Sequence, residues 1–472
     1  MMTKQLEVAD SFFSEPYWRR VWIIQEITVA KKVKVLYGDC NFQWDDVITI
    51  LSMLKDMEDK LDFVTYRKIL NATHLLEFRE KYARPARISL LEAMIWSRSS
   101  LATEPRDKIF ALLGLCLDSP ILVPIPNYKQ SLGSIMAEMS KTMMIRNNSL
   151  DLICLKGVDS SYSKGCPDLP TWAPNWPRLW TGSLTIQEKC LSLEPTVCSS
   201  NSILEGPTNK ILKVSAARVG SIKRLTTGEC WSTQSLHKRL RKRWISETAT
   251  LRETHTELGN ASESMVKTAH AIWKTLTMAQ LPAGFSDSTG INCFETLWRP
   301  EGRGAIENLS LIQWIDDNAH FEIGHWTLRE WSQITPPSQF TPSNPIDTIG
   351  DFSDTRGGVS STSANPGKPY TTRDLNTFIG AICRVLGSGM ELASIDYEPC
   401  SVAMVHPEAQ ANDEVFYIQG CSIPVVLRKD PKSDESRYVV IGGAYLHEDF
   451  KDQFLWKKTD DLNFFRGEIY LC

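Results

Sequence analysis

Several things are missing from this chain, and each absence narrows what it can do. No two of its 12 cysteines stand as C-x-x-C, and they are scattered over the whole length. With no signal peptide at the N-terminus, that scatter reads as reduced thiols and not as a disulfide frame. It implies a cytoplasmic protein, with the nucleus as the alternative. Long apolar runs are lacking too. The longest, "FALLGLCLDSPILVPIP", is broken by Asp118 and three prolines, whereas a membrane helix needs about 20 continuous apolar residues. Neither sign of charge dominates: a net charge of −4 and a pI near 6.1 supply no global field to draw nucleic acid or an anionic membrane. Metal and phosphate motifs are equally absent. His320 and His325 are out of phase with a helical zinc pair and have no glutamate placed as in H-E-x-x-H. "PGKPY" lacks the glycine span of a phosphate loop, and "GSG" at 387–389 is not a nucleophile elbow. No Ser/His/Asp or Cys/His set can be assembled, and there is no internal repeat.

What is present is a chain able to bury large cores. With 472 residues and 42% apolar content it has room for two to four domains, and its 15 tryptophans imply aromatic-rich packing. "SEPYWRRVWIIQEITVA" reads as a helix capped by Ser14 with Pro16 in its first turn, apolar on all sides and therefore buried. "KVKVLYG" then reads as a short strand stopped by Gly38. From about 45 to 100 the pattern is helical and surface-charged. "TEPRDKIFALLG" has Thr103 as cap, Pro105 in the first turn and Gly114 as stop. Leu132, Ile135, Met136, Met139 and Met143 share one face of another helix. "LDLICL" follows as a candidate buried strand, "LPTWAPNWP" as an extended segment across a core, and 211–225 as a strand or hairpin. Residues 233–280 return to charged helix. The Pro/Ser/Thr/Gly-rich stretch 336–370 reads as a linker. "EVFYIQGCSIPVVLRK" and "RYVVIGGAYLHE" read as strands of a hairpin around "DPKSDES", and Cys421 as a small buried strand residue.

Taken in order, "RVWIIQE", "PRDKIFALLGL", "NY", "LPTWAPNW" and "DEVFYIQGCSIPVVLR…YVVIGGAYLH" resemble the heterokaryon-incompatibility (HET) domain proteins of filamentous fungi. The resemblance covers most of the chain, with gaps at the charged helical insert and the linker. It implies nonself recognition and regulated cell death, carried out through association with other proteins. It also implies an N-terminal half, preceding the "RVWIIQE" helix, for which no counterpart is found here. An incomplete gene product is one expectation that follows. The expected fold is α+β: residues 1–45 the C-terminal remnant of a TIR-like α/β HET domain, 46–150 helical, 151–335 mixed with the charged insert, 336–370 the linker, and 371–472 β-rich.

The resemblance to TIR-like folds also draws attention to Glu26. In enzymatic TIR domains a glutamate in a W-x-x-x-E spacing serves cleavage of the nicotinamide–ribose bond of NAD, and Trp22 and Glu26 have that spacing. Residues four apart share a helix face, so the indole could wall a pocket for the carboxylate. By analogy with glycoside hydrolysis, that carboxylate would stabilise a cationic sugar-like transition state. The alternative is structural: a carboxylate on a buried helix neutralised by Arg19, Arg20 or Lys31. Without the missing half there is no sheet and no ligand cleft around it, so no NAD cleavage is expected, and NAD enters only by family analogy. Arg20, Trp22, Gln25 and Asp107 are the binding candidates beside it. Asp107 has its own structural alternative, as a carboxylate paired locally in the first turn of a helix. "KRLRKR" at 238–243 is either a nuclear-import or nucleic-acid patch, or the solvated face of a helix balanced by Glu247, Glu253 and Glu257. Other proteins are the expected partners; membrane, metal and nucleic acid are not.

Overall fold

The computed structural model describes residues 9, 11–55, 63–84, 88–123, 125–156, 166, 168–176, 204–205, 210–227, 263–282, 284–334, 370–396, 401–431, 436–447 and 466–472. The class is α+β. The linker at 336–369, the "KRLRKR" run and its three glutamates lie outside the described residues.

Helices dominate the first 150 residues. Pro16–Arg19 form a single 3-10 turn, and α1 runs only from Trp22 to Val29. The expected longer helix from residue 17 is interrupted because Arg20 pairs its backbone with Leu101, and Val21 N–H donates to the Leu101 carbonyl at 2.9 Å. The N-cap of that first turn is Glu15 and not the expected Ser14. Nor is α1 buried all round: Ile23, Ile24, Ile27 and Thr28 are inside, while Glu26 and Val29 are exposed. β1 (Lys34–Tyr37) ends at Gly38, as expected, but pairs antiparallel with β2 (Cys40–Gln43) in a tight hairpin. The glycine takes φ 56° there, a conformation that costs it nothing. The strand is thus part of a two-stranded hairpin and not an isolated strand.

α2 (Trp44–Lys55), α3 (Phe63–Tyr82) and α4 (Leu90–Trp96) follow the charged amphipathic pattern. Arg79 of α3 donates to the Ile27 and Ala30 carbonyls, satisfying the C-terminal end of α1, where a cation is favoured. α5 (Asp107–Phe110) is shorter than expected. Arg106 stands at its N-cap, Thr103 does not cap it, and Gly114 falls within a 3-10 turn, Leu113–Leu115. α6 (Ser119–Leu122) leads to α7 (Leu132–Asn147), which buries Ile135, Met136, Met139 and Met143. "LDLICL" is not a strand. Asp151–Cys154 form a 3-10 turn, because a short apolar run fixes burial but not backbone class. "LPTWAPNWP" is not extended either: Ala173 N–H closes a turn on the Pro170 carbonyl, seating Trp172 and Trp176 in the core.

The centre of the molecule is a closed ring of strands. β4 (Leu212–Leu225) is long enough to pair with β9 (Glu414–Ile418) along one side and with β7 (Glu391–Ile395) at its far end. β9 pairs β10 (Val425–Lys429), β10 pairs β11 (Arg437–Tyr445), β11 pairs β8 (Ser401–Val405), and β8 pairs β7. All six pairings are antiparallel, and the circuit has no free edge. β12 (Arg466–Leu471) fills the remaining angle, antiparallel to β4 and parallel to β11, and β3 (Leu204–Glu205) adds to β4. The expected hairpin is present as β10–β11, but "EVFYIQGCSIPVVLRK" is not one strand: a turn at 419–424 divides it into β9 and β10. Cys421 is buried but sits in the β9–β10 turn, not in a strand.

Alternation along these strands sorts the side chains. Val219, Ile222, Ala393, Ile395, Val415, Val426 and Ile441 fill the barrel interior. Leu212, Val214, Phe416, Val425 and Val440 face outward onto the N-terminal helices. Leu392, Val402 and Met404 face a second helical block. That block contains α8 (Glu263–Leu276), α9 (Asp287–Thr296), α10 (Pro300–Ala305), α11 (Leu309–Asn318), α12 (Leu328–Ser332) and α13 (Thr372–Gly387), with a small hairpin of β5 (Glu322–Ile323) and β6 (Trp326–Thr327). α13 is unanticipated in the β-rich C-terminal stretch, although a Thr371/Asp374 capping box opens it.

Candidate functional site

The motif residues from three separate stretches meet at one place. Trp22 Nε1 donates to Asp107 Oδ2 at 3.0 Å, and the Tyr128 hydroxyl donates to Asp107 Oδ1 at 2.7 Å. Asp107 is therefore paired over long range, and not within its own turn. The hydrogen bond to its carboxylate holds the Tyr128 phenol up at about 12, since losing that proton would leave two anions side by side. Phe110 meets Tyr128 edge-on, with centroids 4.9 Å apart. Gln25, one turn beyond Trp22, lies against Gly114: a Cβ added to that glycine would approach Gln25 Nε2 to 3.1 Å. The neighbouring Lys108 donates from Nζ to the Arg98 carbonyl at 2.9 Å, and burial lowers its amine to about 8.

Glu26 stands apart from this lock. Its carboxylate is exposed and accepts from the Tyr17 hydroxyl at 3.2 Å. Tyr17 is pushed up first by partial burial and then by the Glu26 charge. The expected cationic partners do not reach it. Arg20 is exposed: its backbone bridges to Leu101, and its charge offsets part of the rise at Tyr17 without an ion pair to Glu26 among the described residues. No parallel layer surrounds α1 among the described residues.

An open cleft of about 340 Å³ lies elsewhere, lined by Glu104, Arg106, Ser131, Gly133, Cys166 and Asp168 among others. Its charges are mutually satisfied. Arg106 donates to Glu104 at 2.7 Å and to the Gln130 carbonyl at 3.1 Å, and Asp168 holds Lys210 at 3.0 Å. No spacing in the sequence joins 104–106 to 131–133 and 166–168, so the cleft was not legible there. Tyr128, though inside the quoted "NY", is likewise recognisable as Asp107's partner only in three dimensions.

The remaining candidates are dispersed. His320 and His325 are exposed, the first just ahead of β5 and the second in the β5–β6 turn. Among the described residues no three His, Cys, Asp or Glu side chains gather as a metal site, and no helix is long and apolar enough to cross a membrane. The Cys421 thiol donates to the Leu150 carbonyl at 3.5 Å. "GSG" lies at the end of α13 with Ser388 fully buried, its hydroxyl on the Val385 carbonyl. At the barrel, Arg428 grips Asp413 through two bonds of 2.8 and 2.9 Å and donates to the Glu408 carbonyl at 2.9 Å. Half-buried Asp151 accepts from Ser422 N–H at 2.6 Å and from its hydroxyl at 2.8 Å. These are fastenings of structure. No known protein family, curated protein or solved structure matches the chain.

Proposed function

We propose that this chain acts by associating with another protein, in the nonself recognition and regulated cell death that its resemblance to the HET proteins implies, and that it does not cleave NAD at Glu26. The observation that carries this reading is the division between Trp22 and Glu26. Trp22 is committed to Asp107, so it does not wall a cavity, while the Glu26 carboxylate lies on open surface. A carboxylate that must stabilise a sugar cation works in a water-excluded pocket. In solvent it has neither the low dielectric nor the fixed geometry.

Two assays test this. Purified full chain incubated with NAD is expected to release no nicotinamide above the buffer rate; release that disappears in Glu26→Ala would overturn the proposal. Forced expression in a filamentous fungus is expected to arrest growth equally for the wild type and Glu26→Ala. Growth unaffected by either protein would count against the cell-death role.

A further inference from the structure

Among the described residues the six-strand circuit of the barrel closes on itself, whereas the β1–β2 hairpin keeps an open edge. In a two-residue hairpin the Tyr37–Cys40 and Val35–Phe42 pairs exchange the hydrogen bonds, so the amides and carbonyls of Lys34 and Leu36 point away from β2. Gln43, opposite Lys34, obeys the same rule, and its outward N–H donates to Asp46 at 2.8 Å. That closes the β2 side where the chain turns into α2. Nothing closes the β1 side: among the described residues no hydrogen bond reaches the backbone of Lys34 or Leu36 outside the hairpin. Leu36, in the middle of this edge, is 74% exposed, the second most exposed large apolar side chain described after Ile125. The other face of the strand is anchored, with Val33 and Val35 against the N-terminal core and Tyr37 edge-on to Phe12.

The charge around the edge selects the occupant. Lys31, Lys32 and Lys34 are exposed, and none has an ion-pair partner among the described residues. Lysines on an edge strand repel neutral and basic strands and block self-association. A second copy pairing antiparallel across Lys34 and Leu36 would put Lys32 and Lys34 of both chains on one face, where like charges destabilise. An acidic strand meets no such penalty.

We infer that β1 is the docking edge for an extended acidic segment of a partner protein. The segment adds antiparallel as a third strand, with an apolar side chain against Leu36 and carboxylates opposite Lys34 and Lys32. Backbone hydrogen bonds would supply affinity, and alternate side chains specificity. The inference deepens the proposed function and rests on it only for the existence of a protein partner.

The test uses the full chain and a seven-residue synthetic peptide in which leucine, glutamate and glutamate alternate with threonine, titrated by fluorescence anisotropy. Saturable binding is expected, weakened about tenfold by added salt and by Lys32→Glu/Lys34→Glu, both surface changes. The same peptide N-methylated at its β1-facing amides keeps every charge but cannot form the strand, and is expected not to bind. Equal binding of the methylated peptide, or no binding by either, overturns the inference. So does a concentration-dependent dimer abolished by Leu36→Lys, which would make a second copy the occupant. Because the readout is peptide binding in vitro, failure here leaves the growth and NAD results to judge the broader proposal separately.

Discussion

The hairpin near the N-terminus and the barrel at the centre handle the same problem in opposite ways. Both are mainly antiparallel, but the hairpin has one face on a hydrophobic core and the barrel has both. The barrel's six-strand circuit closes on itself, and it holds the buried Asp413 charge against a fixed partner, Arg428. The hairpin keeps an edge in solvent, and on α1 the exposed Glu26 carboxylate accepts a bond from the Tyr17 hydroxyl. A sheet that has satisfied itself is a scaffold, and one that has not is available for binding.

Mutations can break that contrast. The largest effect is expected at the barrel. Arg428→Ala leaves Asp413, 3% exposed, as an uncompensated buried charge, at a cost of about 3–5 kcal/mol in urea unfolding. A loss below that of any hairpin variant would remove the distinction. Next comes a pH effect in the N-terminal helices. His74 donates from Nδ1 to the Trp96 carbonyl at 2.8 Å, and burial lowers it to about 4. Its folded pKa lies below the unfolded value near 6.5, so between the two the unfolded chain takes a proton that the folded chain refuses. Stability therefore falls as pH drops through that window. Between pH 7 and 4.5, His74→Gln is expected to lose roughly 2 kcal/mol less than the wild type; parallel melting profiles would assign the acid sensitivity elsewhere.

Asp107→Ala removes two charge-assisted bonds, the one from Trp22 part-buried and the one from Tyr128 exposed, and is expected to cost about 1–2 kcal/mol. Combined with Trp22→Phe the losses should fall short of additivity, since both delete one hydrogen bond; strict additivity would deny the lock between the two motifs. Smallest is Glu26→Ala, within about 0.5 kcal/mol of wild type by thermal unfolding. A larger change would mean that the exposed carboxylate holds more than Tyr17.

Local pattern made much of this legible. The 3 and 4 spacing of methionines placed α7, the charged amphipathic stretches placed α2 to α4, and alternation placed β4, β10 and β11. Where signals were short, backbone class went astray. "LDLICL" is too brief to separate strand from turn, and in "LPTWAPNWP" the prolines that suggested extension instead punctuate a turn around two buried indoles. Ring closure had no local signature, because β4 pairs with β7 and β9 across roughly 170 to 200 residues of chain. At the site, the sequence singled out Trp22, Gln25 and Asp107, which the fold does bring together. It could not tell that Glu26, four residues from Trp22, turns toward water, since helical periodicity says which residues share a face and not what the face meets.

The fastening of Asp151 to Ser422 has a thermal corollary. Leu150 N–H reaches the Gly420 carbonyl at 2.7 Å in the same corner, so the β9–β10 turn is bolted to the helices that precede the barrel. Heating should not peel one layer from the other. A scanning calorimeter would record a single endotherm for the barrel and the N-terminal helices together, and Asp151→Ala would be the change to split it in two.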